Sequence, residues 1–269
     1  MAVVQRGLSF GSLCRALHTP PPLKSSCCIR IPAEIVKDPD PATYDAERLF
    51  ASGVAPTFNS PDINTVHLWP VKPLDVLTTT IRNVSPDAAA QRTRVDLAWS
   101  PFGIGLETLP IASTFVDLAR AGTPASEQTL SWPTPPALIA AGRYGVFLEL
   151  HHPFDRDRTN NRGQQTVDGM QTSQGRSRTF IIPVRNPHSD VRTIALSISP
   201  SPFAAWATLA PAAFTLAGGA QKDVAVKIDV PIGLPVSPPG TLISATIDVM
   251  AQSSGTLIGG VSLIILLDS

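Results

Sequence analysis

The sequence predicts an all-β chain built as two tandem antiparallel β-sandwiches behind an irregular N-terminal arm. Three observations carry this. First, 27 prolines and 18 glycines are dispersed through 269 residues between short apolar runs. Proline is thus about twice its usual share of roughly 5%, and because it lacks a backbone donor it belongs at strand starts, edges and turns. Second, the apolar runs alternate with period two, as half-buried strands do. Third, one pattern of strands and turns occurs twice at an offset of about one domain length. Apolar residues make up 43% of the chain, enough to fill two cores.

In chain order, residues 1–29 read as a disordered leader and 30–61 as an arm. The Asp38-Pro39-Asp40-Pro41 segment is stiff and extended. One short helix is predicted over Ala42–Ala51, with Thr43 as N-cap and Gly53 ending it. Ile31, Ile35, Leu49, Phe50 and Phe58 make the arm too apolar for a free linker, so it should dock on something, adding to a neighbouring sheet edge in the manner of β-augmentation.

The first sandwich is predicted over residues 62–168. Its strands start at 66–69 and 74–84, the latter with Leu77, Thr79, Ile81 and Asn83 on one face. In the strand 92–102, Val95, Leu97 and Trp99 alternate with Arg94, Asp96 and Ala98. Further strands are expected at 108–119, 126–132 and 144–151. A polar loop follows, then a linker without periodicity through Ser177. The second sandwich, 178–269, has strands at 178–186, 191–203, 214–216, 223–230, 242–251 and 256–267. The last pair flanks Gln252-Ser253-Ser254-Gly255 as a hairpin, and the apolar run ending at Leu267 reads as a final buried strand, too short to span a membrane.

The repeat matches Ile81-Arg82-Asn83 to Val184-Arg185-Asn186 and Ser100-Pro101-Phe102 to Ser201-Pro202-Phe203. Each copy continues into a strand (Gln128–Pro133, Lys222–Lys227) and a Pro-Pro segment closed by glycine, at Pro135-Pro136 to Gly142 and Pro238-Pro239 to Gly240. This layout resembles bacterial immunoglobulin-like modules. The first copy, with Asn160-Asn161-Arg162-Gly163-Gln164, is similar to the CARDB class. The second, opening on Val184–Pro187, is similar to fibronectin-III-like modules of bacterial surface proteins and glycosidases. The resemblance implies roles as spacer, adhesion or accessory domains.

Composition excludes several function classes. Lys and Arg (21) balance Asp and Glu (21), with no basic stripe of the kind nucleic acids or anionic membranes require. Cys14, Cys27 and Cys28 all precede the sandwiches, so no disulfide can join their sheets. With no continuous apolar signal region at the start, this leans toward a reducing, cytoplasmic compartment and leaves an extracellular one open.

No catalytic constellation is visible. There is no Gly-x-Ser-x-Gly, the glycine pairs 218–219 and 259–260 lack phosphate-loop spacing, and Glu149 has no second carboxylate at a glycosidase spacing. No cofactor is implied. The densest polar cluster is the loop 151–161. There Asp155, Asp157 and Asn160 offer oxygens to calcium, but the EF-hand glycine and terminal glutamate are missing, and Arg156 and Arg158 alternate with the acids. The bland alternative is a solvated loop with Asx turns. His151 and His152 are adjacent on a strand and point to opposite faces, which argues against zinc. Of Trp69, Trp99, Trp132 and Trp206, Trp99 reads as core, while Trp132 and Trp206, near prolines at strand ends, read as exposed candidates for stacking on a sugar. The chain is therefore expected to be a non-catalytic structural or protein-interaction module with an unidentified protein partner. The alternative is an adhesion or carbohydrate-binding module.

Overall fold

Proline punctuation and period-two patterning resolve into fifteen strands and two short helices in the computed structural model, which describes residues 38–68, 71–234 and 243–267. The three cysteines, Ile31, Ile35, Trp69 and the second Pro-Pro segment lie outside the described residues.

The arm contributes β1 (Pro41–Ala42) and α1 (Ala46–Ala51). The first sandwich contains β2 (Ile63–Leu68), β3 (Val71–Asn83), β4 (Ala90–Pro101), β5 (Leu109–Leu118), β6 (Glu127–Pro133), α2 (Pro136–Ala141), β7 (Tyr144–His151) and β8 (Arg162–Thr172). The second contains β9 (Ser177–Arg185), β10 (Arg192–Ile198), β11 (Ala207–Ala210), β12 (Ala213–Leu216), β13 (Gln221–Asp229), β14 (Ile243–Ser253) and β15 (Thr256–Leu267). In the first sandwich, β3 is flanked by β2 and β6 and faces a sheet ordered β5-β4-β7-β8. In the second, β11-β13-β9 faces β12-β10-β14-β15. Leu77, Ile81, Val95, Leu97, Trp132 and Leu148 share one core; Ile182, Val184, Ile194, Val226, Ile247 and Leu263 share the other. The fold is all-β, two tandem immunoglobulin-like sandwiches behind an arm.

The repeat is physical. β3 pairs β6 as β9 pairs β13, and β4 sits between β5 and β7 as β10 sits between β12 and β14. Asn83 is the last residue of β3 and Asn186 directly follows β9, the matching strand of the second copy, and both are buried. Asn83 Nδ2 donates to Ala88 O and Ala119 O at 2.7 and 3.0 Å. Asn186 Nδ2 donates to Asp190 O and Leu216 O at 2.8 and 3.1 Å. Each Oδ1 accepts an N–H two residues on, from Ser85 or His188. One side chain thus closes the turn and ties it to the far strand, which is why the same dipeptide ends both strands.

Among the described residues, three features join the sandwiches. β8 pairs antiparallel with β7 through Arg162–Thr166, then parallel with β15 from Val167 to Thr172, so one eight-stranded sheet runs through both. The expected structureless linker is therefore largely strand. It carries no visible alternation because Gln165, Thr166, Val167 and Asp168 are buried in succession where the strand passes from one sandwich to the other. This pairing also places the apolar β15 between two strands, hence its near-continuous burial. Second, Ile104 exchanges backbone hydrogen bonds with β9, its N–H to Pro183 O and its O from Arg185 N, both 2.9 Å. A side chain at Gly105 (φ 69) would meet Arg185 O at 2.5 Å.

The third tie is the arm. Phe58 is fully buried against Met250, Leu257 and Ala46, and the space it fills exists because position 260 is glycine, whose Cβ would lie 2.1 Å from the Phe58 ring. Phe58 N–H and Thr57 Oγ1 donate to Asp248 Oδ1, both at 3.0 Å, and Ser262 Oγ donates there too. Burial pushes the Asp248 carboxyl above its ordinary range, and the three donors pull against that. The described part of the arm is thus part of the fold and not a free docking segment. Its helix is shorter than expected: Pro41 and Ala42 pair with β3 instead, and Asp45 is the N-cap, accepting from Arg48 N at 2.9 Å. Gly53 (φ 78) follows the C-cap, where the sequence put the helix end.

Two local predictions differ in extent. The strand expected over 191–203 stops at Ile198, and the short β11, absent from the sequence reading, follows a turn through Trp206. The terminal hairpin has a two-residue loop with Ser254 and Gly255 at φ 51 and 79 and Ser253 paired to Thr256, the primed turn that suits strand twist.

Candidate functional site

The solvent face of the first sandwich's outer sheet is built from cross-strand rows. Opposed residues of antiparallel strands point to the same side, so the pairs Phe115–Arg94–His151 and Ser113–Asp96–Glu149–Arg162 lie in two adjacent rows across β5, β4, β7 and β8. Helix α1, the loop after β7 and the β14–β15 turn rise around this face and enclose a groove of about 970 Å³, continuous along Glu149 and Arg162 with a smaller one of about 340 Å³.

The charges on its floor are arranged in pairs. Asp96 takes Arg94 at 2.5 Å, Ser113 Oγ at 2.6 Å and His151 Nε2 at 3.1 Å. Burial works to raise the Asp96 carboxyl, but the Arg94 and Ser113 hydrogen bonds outweigh it and hold it below the usual range. Arg162 reaches Glu149 at 3.4 Å and Glu47 at 3.8 Å. Asp45 is used twice, by Arg48 N and by Arg162 N at 3.0 Å, and burial raises both it and Glu47. Arg92 stands at a bulge in β4 with φ 54, its N–H on Asp117 Oδ1 at 2.7 Å and its guanidinium 5.9 Å from the Phe115 ring centre. Phe115 is 59% exposed.

The loop 151–161 forms one wall. Asp155 Oδ1 accepts from Asp157 N at 3.1 Å, and Asp157 Oδ1 from Thr159 N at 3.0 Å. These are Asx turns, and the Thr159 hydroxyl holds the Asp157 carboxyl low. Asp155 Oδ2 accepts from Asn161 Nδ2. Asn160 faces away from the other two: its Nδ2 donates to Asp40 Oδ1 at 2.7 Å and its backbone O accepts from Thr43 N, tying loop to arm. Among the described residues no group of three or more His, Cys, Asp or Glu side chains is placed to hold a metal ion, and no helix is long and apolar enough to cross a membrane.

The tryptophans correct the sequence reading. Trp132 and Trp206, expected at the surface, are 7% and 8% exposed. Trp132 Nε1 donates to Thr79 Oγ1 at 3.0 Å inside the first core, and Trp206 packs edge-on against Phe203 at 5.0 Å in the second. The prolines beside them end strands without turning the rings outward. What the sequence reading missed is the groove itself. Arg92, Phe115 and Arg158 come from three separate elements, and the one sequence signal for them was the outward phase of β4 and β5, which marks a residue as exposed and no more.

No family model and no curated protein matches the chain. Solved structures similar to it include Escherichia coli alpha-2-macroglobulin activated by porcine elastase (11% identity, TM-score 0.27, covering 73% of this chain and 21% of that one). Red sea bream transglutaminase is another (7%, TM-score 0.25, 77% and 31%). A third is the CupB6 tip adhesin from Pseudomonas aeruginosa (8%, TM-score 0.22, 71% and 89%). The chain spans well under two thirds of the first two. At TM-scores this low the alignments carry no argument, and the fold rests on the sheets described above.

Proposed function

We propose that the chain is a non-catalytic structural and protein-interaction module, in which two immunoglobulin-like sandwiches of the CARDB-like and fibronectin-III-like kinds are held in one fixed relation and offer a sheet edge to a partner. The observation that carries this is β5. It is a ten-residue strand ending the eight-stranded sheet, paired among the described residues with β4 alone, with Leu109 and Phe115 51% and 59% exposed. Edge strands are usually blunted by lysines, short length or cover. This one carries Pro110 and Asp117 near its ends and two bulges in its pairing with β4, but between them it has neither lysine nor a covering strand among the described residues, and it borders the groove, which is the setting for β-augmentation. The non-catalytic reading is supported by the pairing on the groove floor, where Asp45, Asp96, Glu149 and Asp155 each already accept from an arginine or an amide.

Affinity capture from the native host tests the proposal. The intact chain is expected to retain a protein that a Phe115→Lys variant of unchanged melting temperature does not. Equal capture by both would take the β5 edge out of the interaction. The glycan alternative is not favoured, since Trp132 and Trp206 present no open ring face.

A further inference from the structure

Resting on that interaction reading, we infer that the partner of the β5 edge is a second copy of this chain, paired antiparallel about a two-fold axis at Thr114, with Ser113 of each copy opposite Phe115 of the other. The inference starts from which backbone groups face outward. Leu150 N donates to Asn161 O at 2.9 Å, so Leu150 bonds toward β8. Its neighbours Glu149 and His151 then bond toward β4, because successive residues of a strand send their backbone groups to opposite sides. Glu149 and His151 pair with Asp96 and Arg94, which leaves Thr93, Val95 and Leu97 to bond β5 at Val116, Thr114 and Ala112. The backbone groups of Ser113, Phe115 and Asp117 therefore point to the open edge. The Asp117 carbonyl is already taken by Gln128 Nε2 at 2.6 Å. Toward the other end Ile111 sits in the bulge and Pro110 lacks an N–H. The usable window runs from Ser113 to Phe115.

That window is too short for a long ladder with an arbitrary strand, but it is complementary to itself. Turned about Thr114, each Ser113 exchanges both backbone hydrogen bonds with the Phe115 opposite, and the outward groups of both residues in both copies are satisfied. Neighbouring registers do worse. One centred on Phe115 needs the Asp117 carbonyl that Gln128 holds, and one centred on Ser113 sets Phe115 against the bulged Ile111. The residues that meet are uncharged, and the neutral chain gives two copies no net repulsion. The two Phe115 side chains, 59% exposed in the single chain, become diagonal neighbours within an aromatic ring's reach, and the Thr114 side chains stand directly opposite one another. Both strands are already formed, so neither has to be ordered on binding, a cost that a loose peptide would bear.

Sedimentation equilibrium of the intact chain over a range of concentrations tests this. The mass is expected to rise with concentration toward twice the monomer's. A Phe115→Lys chain with the parent's melting temperature should show a dissociation constant higher by about tenfold or more, because each dimer carries the change twice. A crosslink then reads the register, in chains whose Cys14, Cys27 and Cys28 are replaced by serine. Thr114→Cys is expected to oxidise to a covalent dimer and Ser113→Cys is not. Facing Cα atoms of a non-hydrogen-bonded pair lie about 4.5 Å apart and diagonal ones about 7–8 Å, while a disulfide needs less than about 7 Å. A chain that stays monomeric at every concentration, a dimer that Phe115→Lys leaves intact, or equal crosslinking at the two positions would overturn the inference. The interaction reading is tested apart from it. A monomeric chain that still captures a host protein through Phe115 overturns the second copy and leaves the edge in use; one that captures nothing through Phe115 overturns both.

Discussion

The two sandwiches repeat one another strand for strand, and they differ where they meet. Asn83 and Asn186 do the same work inside their own copies, but only Asn83 also receives the arm, through Asp40 N at 3.1 Å. Phe203 packs within its own sandwich, whereas Phe102, its counterpart in the repeat, packs with Ile104 into the core of the other one. β15 is the last strand of its copy. Its counterpart β8 is shared, finishing one sheet and extending the next. The repeated residues serve the sandwich; the residues that depart from the repeat serve the junction. A tandem joined by a shared strand, a looped-over isoleucine and an arm should behave as one body, and each of these contacts can be tested against that expectation.

The largest effect is expected at the arm. Phe58→Ala empties a fully enclosed aromatic site and should cost about 3–5 kcal/mol. Urea unfolding should then show the second sandwich, which supplies Met250 and Leu257, destabilised along with the first. A transition confined to the first sandwich would mean the arm is not a clasp. Next come the two asparagines. Asn83→Ala and Asn186→Ala each orphan buried carbonyls, at roughly 1–3 kcal/mol, and equal losses by denaturant titration would confirm equal roles. A much larger loss at Asn83 would show that its extra bond to the arm dominates.

A smaller effect concerns pH. Asp248 has a folded pKa above its ordinary value of 3.8 because burial disfavours the charge. Such a carboxyl binds its proton more tightly folded than unfolded, so its contribution lowers stability as pH rises through the window above 3.8. Asp248→Asn should flatten that part of the stability profile. An unchanged slope would move the effect to Asp40, Asp45 or Glu47, which burial also raises. The smallest effect is expected from millimolar calcium. Asp155 and Asp157 already accept from their own loop, so the melting temperature should not move; a rise would show that the buried, unpartnered Oδ1 atoms of Asn160 and Asn161 find a cation.

Much of the fold could be read from residue order. The faces of β3 and β4 follow their alternation, β7 spans Tyr144–His151 as expected, and the terminal hairpin turns at Ser254-Gly255. The site was far less legible. Trp132 reads as exposed because proline ends its strand, but a strand's last residues still alternate, and Trp132 falls on the inward phase.

Local patterning settles what a few neighbouring residues decide between themselves: strand phase, turn type, and the amide that closes each copy's first turn. These contacts span short stretches of chain, so their chemistry is written in sequence order. The arm's dock, the shared strand and the groove depend on residues that the order of the chain keeps far apart. Phe58 can be buried only because position 260 lacks a side chain, and β8 can change partners only because β15 arrives beside it. Arg92, Phe115 and Arg158 line one groove only once folding has brought β4, β5 and the loop after β7 together. Two β-sandwiches in tandem were therefore determined by patterning, and their union through a shared strand, with the groove beside it, was determined by packing.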